Sequence, residues 1–182
     1  MFALTPRLTL RHGWPEDAPD LARAIGREEV VRNLARAPWP YSRTDAQDFL
    51  ANAFAADAPA FLVFDRTTSA RPLIGGVGVD LHAEDGPELG YWFTPEAWGR
   101  GFATEAGRAV VAIARDGLRL PRLSSGHFLD NPASGRVLRK LGFRPTGRVV
   151  QRESRARGHA VPCALFELDL ADSDAKPLPI AA

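Results

Sequence analysis

The order of apolar and polar positions predicts a chain that opens with one strand and then turns helical. Leu8-Thr-Leu-Arg11 alternates apolar and polar side chains, which is typical of a half-buried strand. A helical face follows and ends near Gly26, and a second helical turn or two is predicted within residues 28–37. Because prolines and aromatic residues dominate Pro38-Trp-Pro-Tyr41, this segment is predicted to be a loop.

A third helix is predicted near Thr44, because Thr44 and Gln47 have the spacing of a capping box. The apolar side of this helix carries Phe49, Leu50 and Phe54. Beyond it the apolar period shortens, and two apolar runs over residues 60–64 and 73–79 are separated by a turn-rich segment. These runs predict two adjacent strands of a buried sheet.

The second half of the chain alternates strands with helices. In chain order we predict a strand over 88–93, a helix over 104–116, a strand over 122–129, a helix over 132–141 and extended segments over 144–152 and 161–170. Both helices stop at a glycine, Gly117 and Gly142. The sequence therefore predicts an α/β (α+β) fold with a mixed sheet of about seven strands flanked by helices, antiparallel early and partly parallel late.

Length and composition narrow the class of protein. The 182 residues fit one domain, predicted over residues 1–170, with a flexible tail over 171–182. A net charge of +1 and the lack of a long apolar stretch predict neither a nucleic-acid nor a membrane partner. Because Cys163 is the only cysteine, we expect no disulfide, no metal site and a reducing, cytoplasmic location. The protein is expected to be a monomer or a homodimer.

The most informative segment runs from Glu88 to Ala106 and predicts a strand, a glycine-bearing turn and a helix. Gly99 and Gly101 allow a tight bend and leave backbone N–H groups uncovered. With the positive end of the following helix, these groups form an anion site. The segment lacks the Gly-Lys-Ser/Thr of a nucleotide-triphosphate loop and the third glycine of a dinucleotide fingerprint. Taken alone, the glycines fit a diphosphate site and a plain strand–helix turn equally well.

The stretch Trp98-Gly-Arg-Gly-Phe-Ala-Thr-Glu-Ala106 closely resembles motif A of the GNAT acetyltransferases, in the form of the branch that acetylates ribosomal-protein N-termini (RimJ/RimL-like). Trp98 replaces the superfamily's Gln or Arg, a departure that this branch shares. The resemblance implies a GNAT fold with a splayed sheet, and acetyl-CoA as co-substrate. It implies that backbone N–H groups from about Gly99 to Thr104 hold the coenzyme pyrophosphate. It also implies that the Phe93 backbone pairs with the pantetheine arm, with a bulge at Trp92–Phe93 as the usual device. The coenzyme-binding residues predicted in this segment are Phe93, Trp98, Gly99, Arg100, Gly101, Phe102, Ala103 and Thr104.

A second motif, Asn131-Pro-Ala-Ser134 to Leu-Gly-Phe143, begins with a helix-capping residue and ends at a glycine. By itself it is also compatible with an ordinary amphipathic helix. In the family this helix follows the coenzyme, so the resemblance implies that Asn131 bonds the pantetheine. Arg136 is a candidate for the coenzyme phosphates, although a solvated surface charge is an equal alternative. The likeness extends from about Thr5 to Leu170.

The resemblance also implies the reaction, in which an amine attacks the thioester and the coenzyme thiolate leaves. Glu88 is the candidate base, with His127 and Asp130 as lesser candidates. The superfamily often places a proton-donating Tyr where this chain has Leu138, while the branch uses Ser134. Ser134 is therefore predicted to hydrogen-bond or protonate the sulfur. An ordinary helix serine and a solvent-facing glutamate remain the alternatives for Ser134 and Glu88.

The motifs describe the acetyl donor and leave the acceptor open. A protein N-terminus is the preferred prediction, and a small amine or an antibiotic is the alternative. A non-catalytic acyl-CoA sensor is the alternative of another class, favoured by the missing Tyr. Trp14, Trp39 and Tyr41 either wall the acceptor site or anchor loops by packing. The arginine-rich run over 148–157 either borders the acceptor entrance or forms an exposed hairpin.

Overall fold

A computed structural model describes residues 2–53, 59–83 and 86–171. Within these ranges the chain forms eight strands and five α-helices. The strands are β1 (Phe2–Leu4), β2 (Leu8–Arg11), β3 (Ala60–Asp65), β4 (Leu73–Asp80), β5 (Glu88–Phe93), β6 (Arg122–Phe128), β7 (Arg144–Ser154) and β8 (His159–Asp169). The helices are α1 (Ala18–Ile25), α2 (Glu28–Val31), α3 (Arg43–Ala53), α4 (Phe102–Ala112) and α5 (Pro132–Lys140). Phe54, predicted on the third helix, and residues 172–182 of the predicted tail lie outside the described residues.

The eight strands form one mixed sheet in the order β1-β2-β3-β4-β5-β6-β8-β7. All neighbours are antiparallel except β5 and β6, which run parallel and pair only at Glu88 and Ser124. Beyond that pair the two strands separate, and we call the resulting gap the splay. The predicted mixed, splayed sheet flanked by helices is confirmed. The sheet has one strand more than expected, the short edge strand β1.

The splay does not arise from the predicted bulge. The β4–β5 register runs without a shift from Asp80 opposite Glu88 to Gly75 opposite Phe93. The prediction of a bulge at Trp92–Phe93 is therefore wrong. The strands diverge because β5 stays paired with β4 while β6 leaves it and pairs with β8 over its whole length.

Two local predictions in the first half of the chain also need correction. The third helix, α3, is capped by Ser42 and Asp45 instead of Thr44 and Gln47. The Asp45 N–H donates to Ser42 Oγ at 3.2 Å and the Ser42 N–H donates to the Asp45 carboxylate at 2.8 Å. A carboxylate is a stronger acceptor than the Gln47 amide, which favours the earlier start. The second helix, α2, ends at Val31 because later carbonyls of the predicted segment bond to the β7–β8 hairpin, as Ala35 O does at 2.9 Å.

Helices cover both faces of the sheet, so the core has two parts. On one face α4 and α5 pack Phe102, Val110 and Leu138, all fully buried, against the sheet. Each such side chain stabilises the fold by about 1.5–3 kcal/mol. On the other face, α1 and α3 pack Leu21 and Leu50 against the sheet. Among the described residues, no helix has the length and apolar character that crossing a bilayer requires.

Candidate active site

The turn between β5 and α4 has the backbone geometry that its glycines predict. Gly99 and Gly101 have φ of +70° and +79°, a left-handed conformation in which other residues are strained. Gly101 is the N-cap of α4, and the next residue, Phe102, has a fully buried side chain. Phe102, Ala103 and Thr104 nevertheless line a large cleft. Because two of these three side chains are buried, the turn offers the cleft mainly the N–H groups of a helix N-terminus, as an anion site requires.

The turn and helix α4 are fastened to the segment between β1 and β2. The Glu105 carboxylate accepts hydrogen bonds from Thr5 Oγ1 at 2.6 Å, from the Arg7 N–H at 2.9 Å and from Arg7 Nε at 2.7 Å. Arg7 also donates to the Arg100 carbonyl at 2.9 Å and lies over the Phe102 ring at 4.5 Å. We call this set of contacts the Arg7–Glu105 clamp. Burial alone would raise the pKa of Glu105, but the hydrogen bonds from Thr5 and Arg7 hold it below its ordinary value.

The Arg100 side chain contacts two neighbours beside the turn. Its guanidinium lies 3.7 Å from the buried Asp65 carboxylate and 4.5 Å from the Phe102 ring centre, and the residue does not line the cleft. Asp65 and Phe102 thus contact the Arg100 guanidinium, which is 49% exposed, and the assignment of Arg100 to coenzyme binding stays a prediction. Its backbone N–H remains part of the turn.

The cleft has a volume of about 1330 Å³ and is lined by both faces of β5. Side chains alternate along a strand, so Glu88, Gly90 and Trp92 face α1 and α3, whereas Tyr91 and Phe93 face α4 and α5. All five residues line the cleft. Residues of α3 and of α5 also line the cleft, so it reaches both faces of the sheet, and β5 has one largely unpaired edge where the two sides can join. That edge is the side of β5 that faces the splay.

The backbone groups on this open edge follow from the same alternation. The Leu89 carbonyl points towards β6, where it accepts a hydrogen bond from Ser125 Oγ at 2.8 Å. Two and four residues further on, the backbone groups of Tyr91 and Phe93 therefore face the splay. The Phe93 carbonyl accepts a hydrogen bond from the Trp98 indole at 2.7 Å. Phe93 thus lies at the open edge, with its carbonyl held by Trp98, and its pairing with the pantetheine arm stays a prediction.

Ser134 lies in the first turn of α5, across the cleft from β5. Asn131 caps the helix, and its side-chain oxygen accepts the Ser134 N–H at 3.4 Å. The Tyr91 hydroxyl lies 2.7 Å from Ser134 Oγ and donates to the Ser134 carbonyl at 3.0 Å. Burial raises the pKa of Tyr91 to about 12, against the opposing effect of the Ser134 hydrogen bond. Tyr91 therefore stays protonated throughout the neutral pH range.

The sequence predictions missed Tyr91. The alternation of β5 would have placed it on the same face as Phe93, towards the helices. A buried tyrosine normally has a partner for its hydroxyl, and the only signal available was this need. Which group supplies the partner depends on how α5 packs, and that is a tertiary contact.

Further along α5, the predicted Arg136 lines the cleft together with Val137 and Lys140.

Glu88 lines the cleft at the start of β5, where it is paired with Arg152 of β7. The two guanidinium nitrogens donate to the two carboxylate oxygens at 2.5 and 3.1 Å. The lesser candidates for a base have other partners. His127 Nδ1 lies 2.8 Å from the Phe128 carbonyl, and its ring packs on Phe166.

Asp130 belongs to an ion cluster. The Arg157 guanidinium contacts it at 2.7 Å and Arg32 at 3.4 Å. The hydrogen bond from Arg157 lowers the pKa of Asp130 despite partial desolvation. This charged form suits a structural ion pair, and the two arginines come from the loop after α2 and from the β7–β8 hairpin.

The arginine-rich hairpin borders the cleft and also carries structure. Arg155 N–H donates to the Ala35 carbonyl at 2.9 Å, and Ser154 Oγ donates to the Leu34 carbonyl at 3.2 Å. The loop over residues 32–38 is thereby held across one end of the cleft. Arg152 and Arg155 both line the cleft, which agrees with the hairpin bordering an entrance.

The three aromatic residues of the N-terminal loops have different positions. Tyr41 lines the cleft, and burial, together with the charges of Asp45 and Asp48, raises the pKa of Tyr41 to about 12. Trp14 lies outside the cleft and covers Arg11, whose guanidinium is 4.2 Å from the ring centre. Trp39 also lies outside it and is 44% exposed. Of the three, only Tyr41 is placed to contact a bound molecule in the cleft.

The mixed sheet opens at the splay beside β5, and a glycine turn at a helix N-terminus follows that strand. The sequence resemblance implies this architecture for coenzyme A-dependent acetyltransferases. Residues 7–144 match the family model described as the acetyltransferase (GNAT) domain. The chain therefore belongs to the GNAT acetyltransferase family. The prediction of an acyltransferase of this family is confirmed.

Named relatives agree with this assignment. The chain is 39% identical to the uncharacterised N-acetyltransferase YoaA of Bacillus subtilis (strain 168) over 79 residues, 42% of this chain and 45% of that protein. It is 28% identical to the uncharacterised N-acetyltransferase p20 of Bacillus licheniformis over 170 residues, 90% of this chain and 93% of that protein. Among solved structures, RimL, a ribosomal L7/L12 α-N-protein acetyltransferase in complex with coenzyme A, superposes with a TM-score of 0.77 at 17% identity, covering 94% and 99% of the two chains. At that identity the likeness concerns the fold.

Proposed function

We propose that this protein transfers an acetyl group from acetyl-CoA to the α-amine of a polypeptide N-terminus. The observation that carries the proposal is the single cleft that passes around the open edge of β5. The coenzyme enters from the α4–α5 side and the amine from the α1–α3 side. The two reactants then meet at the splay, so that the amine attacks the thioester directly.

The donor half of the proposal rests on the β5–α4 turn. The N–H groups from Gly99 to Thr104 bind the pyrophosphate, and the pantetheine extends along the open edge of β5 beside Phe93 and Trp98. Asn131 contacts the pantetheine from the start of α5, and Arg136 contacts a phosphate. Family membership and the structure of RimL with coenzyme A support this arrangement.

In the proposed reaction the amine nitrogen attacks the thioester carbonyl, the new C–N bond forms and the C–S bond breaks. A backbone N–H near Phe93 stabilises the oxyanion. Ser134 donates a hydrogen bond to the departing sulfur, which finally takes up one proton. Tyr91 is a positioning residue, since its hydroxyl donates to the Ser134 carbonyl and lies 2.7 Å from Ser134 Oγ, and the serine proton turns from the Tyr91 oxygen to the sulfur.

The amine must lose one proton during the transfer. A polypeptide α-amine has a pKa near 7.7–8.0, so roughly a tenth to a sixth of it is already neutral at pH 7 and a modest base suffices. We propose Glu88 for this role, acting through a water molecule, with the Arg152 pair fixing the orientation of its carboxylate. The name of RimL supports a polypeptide N-terminus as the acceptor.

Calorimetry with acetyl-CoA, followed by a thiol-release assay over a panel of amines, tests this function. The panel contains peptides with N-terminal Ala, Ser and Met, the same peptides with blocked N-termini, spermidine, free amino acids and an aminoglycoside. Fast thiol release with free but not blocked peptides is the expected result. Faster turnover of a small amine would overturn the choice of acceptor, and binding without turnover would overturn the enzyme. The rate–pH profile of Glu88→Gln reports on the base, and an unchanged profile would remove Glu88 from the mechanism.

A further inference from the structure

Two neighbouring glycines on the α1–α3 face of the sheet are there because packing leaves no room for a side chain. At Gly76 an added Cβ would lie 2.6 Å from the Trp92 indole nitrogen. At Gly78 it would lie 2.8 Å from the Pro59 carbonyl oxygen. In both places the fold itself requires glycine, because real Cβ atoms do not approach other atoms so closely.

Gly90 of β5 lies directly opposite Gly78, but packing does not require a glycine at position 90. No atom of the described residues lies within 4 Å of the position its Cβ would take, and its φ is not positive. Glycine in the interior of a strand weakens the strand, because it loses more backbone entropy on folding and offers no side chain to pack. A larger residue at this position would therefore make the fold more stable.

The empty position lies inside the cleft. On the same face of β5, Glu88 and Trp92 stand two residues away on either side, each at about 7 Å along the strand. Gly90 thus forms a slot in the strand between a carboxylate and an indole ring. The next residue, Tyr91, is the one whose hydroxyl contacts Ser134 on the opposite face. The slot therefore lies on the short path from the α1–α3 side of the cleft to the splay.

We propose that Gly90 is the floor of the acceptor subsite, over which the amine-bearing end of the acceptor passes to reach the open edge of β5. This inference rests on the proposed function and adds a size-determining residue to it. The chemistry that fits the slot is a primary amine on an extended chain with little bulk beside the nitrogen, as in a polypeptide N-terminus. A side chain at position 90 would occupy the path of the nucleophile, and a displacement of about 1 Å can cost on the order of 100-fold in rate.

Gly90→Ala tests this inference, with Gly117→Ala as the matched control. Gly117 lies outside the cleft, has no positive φ, and its nearest neighbour to an added Cβ is Ile113 Cγ2 at 3.9 Å. Both substitutions are expected to leave the Tm unchanged or raise it, because alanine reduces the entropy of the unfolded chain. For Gly90→Ala we expect kcat/KM for the best panel amine to fall about tenfold or more. The Kd for acetyl-CoA should stay within about twofold, and Gly117→Ala should match the wild type in kcat/KM and in this Kd.

The outcomes separate this inference from the proposed function. Wild-type kcat/KM in Gly90→Ala, in an enzyme that turns over the panel amine, would overturn the slot and leave the proposed function intact. A loss of acetyl-CoA affinity equal to the loss of turnover would also overturn it, because Gly90 would then act on the donor. If the wild-type protein releases no thiol with any amine, the proposed function and the slot both fail.

Discussion

At the scale of single residues, the chemistry of the site depends on which acceptors the hydroxyl protons of Tyr91 and Ser134 bind. Each hydroxyl can donate one hydrogen bond. Because Tyr91 donates to the Ser134 carbonyl, its oxygen accepts the Ser134 hydroxyl proton, which is available to a bound sulfur only by turning away from Tyr91. The raised pKa of Tyr91, about 12, keeps this tyrosine protonated, so it holds the serine in place without supplying a proton to the reaction.

We expect Tyr91→Phe to lower kcat by about two- to tenfold, which corresponds to the net worth of one hydrogen bond, about 0.5–1.5 kcal/mol. The Kd for acetyl-CoA should not change, because the ring and its packing are kept. Ser134→Ala should lower kcat at least as much. Steady-state kinetics of the two variants and calorimetry with acetyl-CoA provide the measurement.

The double variant Tyr91→Phe/Ser134→Ala distinguishes positioning from a separate role. Because Tyr91 acts through Ser134, the double variant should be no slower than Ser134→Ala alone. If the double variant instead lowered kcat by the product of the two single-variant factors, the positioning role would be contradicted, since Tyr91 would then contribute independently of the serine.

At the scale of elements, the β5–α4 turn combines an unusual backbone with an exposed helix N-terminus. The chain offers a close comparison, because Gly101 in the turn and Gly147 in β7 have the same φ of +79°. An alanine at either position costs about 1–2 kcal/mol of backbone strain. The two sites differ in that only Gly101 lines the cleft.

We therefore expect Gly101→Ala and Gly147→Ala to lower the Tm by similar amounts, while only Gly101→Ala weakens acetyl-CoA binding, by about tenfold or more. The reason is that strain relieved in the turn moves the N–H groups that bind the pyrophosphate. Thermal unfolding and calorimetry check the two parts separately. Equal acetyl-CoA affinities in the two variants would show that the turn does not bind the phosphates.

The sequence predicted elements well where their signals are local. The glycine turn could be recognised because glycine is the residue that adopts positive φ without strain. The helices and strands of the second half could be predicted because their apolar residues recur with the period of each element. Ser42–Asp45 was missed because Thr44–Gln47 has the same spacing, and the choice between them depends on acceptor strength at the helix start. The position of Arg100 could not be predicted, since it depends on the buried Asp65 that lies 35 residues earlier in the chain.

At the scale of the whole molecule, the Arg7–Glu105 clamp joins the edge strands to the helix that follows the splay. The pKa of Glu105 is held below its ordinary value of 4.5 in the folded protein. A lowered folded pKa means that the clamp stabilises the fold fully above the unfolded pKa, and that this stabilisation is lost as the pH falls through the folded pKa.

We expect Glu105→Gln to lower the free energy of unfolding at pH 7 by about 1–2 kcal/mol, since hydrogen bonds to a charged acceptor are lost. The difference from the wild type should shrink as the pH falls below 4.5. Urea unfolding at several pH values measures it, with the exposed Glu153→Gln as the control variant. A difference that stays constant down to acid pH would mean that the carboxylate charge contributes nothing.

The splay itself could not be derived from the residues. The splay depends on whether β6 pairs with β5 or with β8 along its length. Pairing between strands that are distant in the chain gives little signal in the local sequence. The resemblance to a family supplied it instead. Its consequence for the site, a cavity shared by both faces of β5, became visible only when the strands were placed together.

That shared cavity also has a kinetic consequence. Under the proposed function, a cavity that reaches both sides of one strand lets either substrate arrive while the other is already in place. No acetylated protein side chain is then required, so initial-rate lines for the two substrates should intersect instead of running parallel. Each product can then leave on the side of the strand where its parent substrate bound, and neither side has to be emptied before the other is refilled.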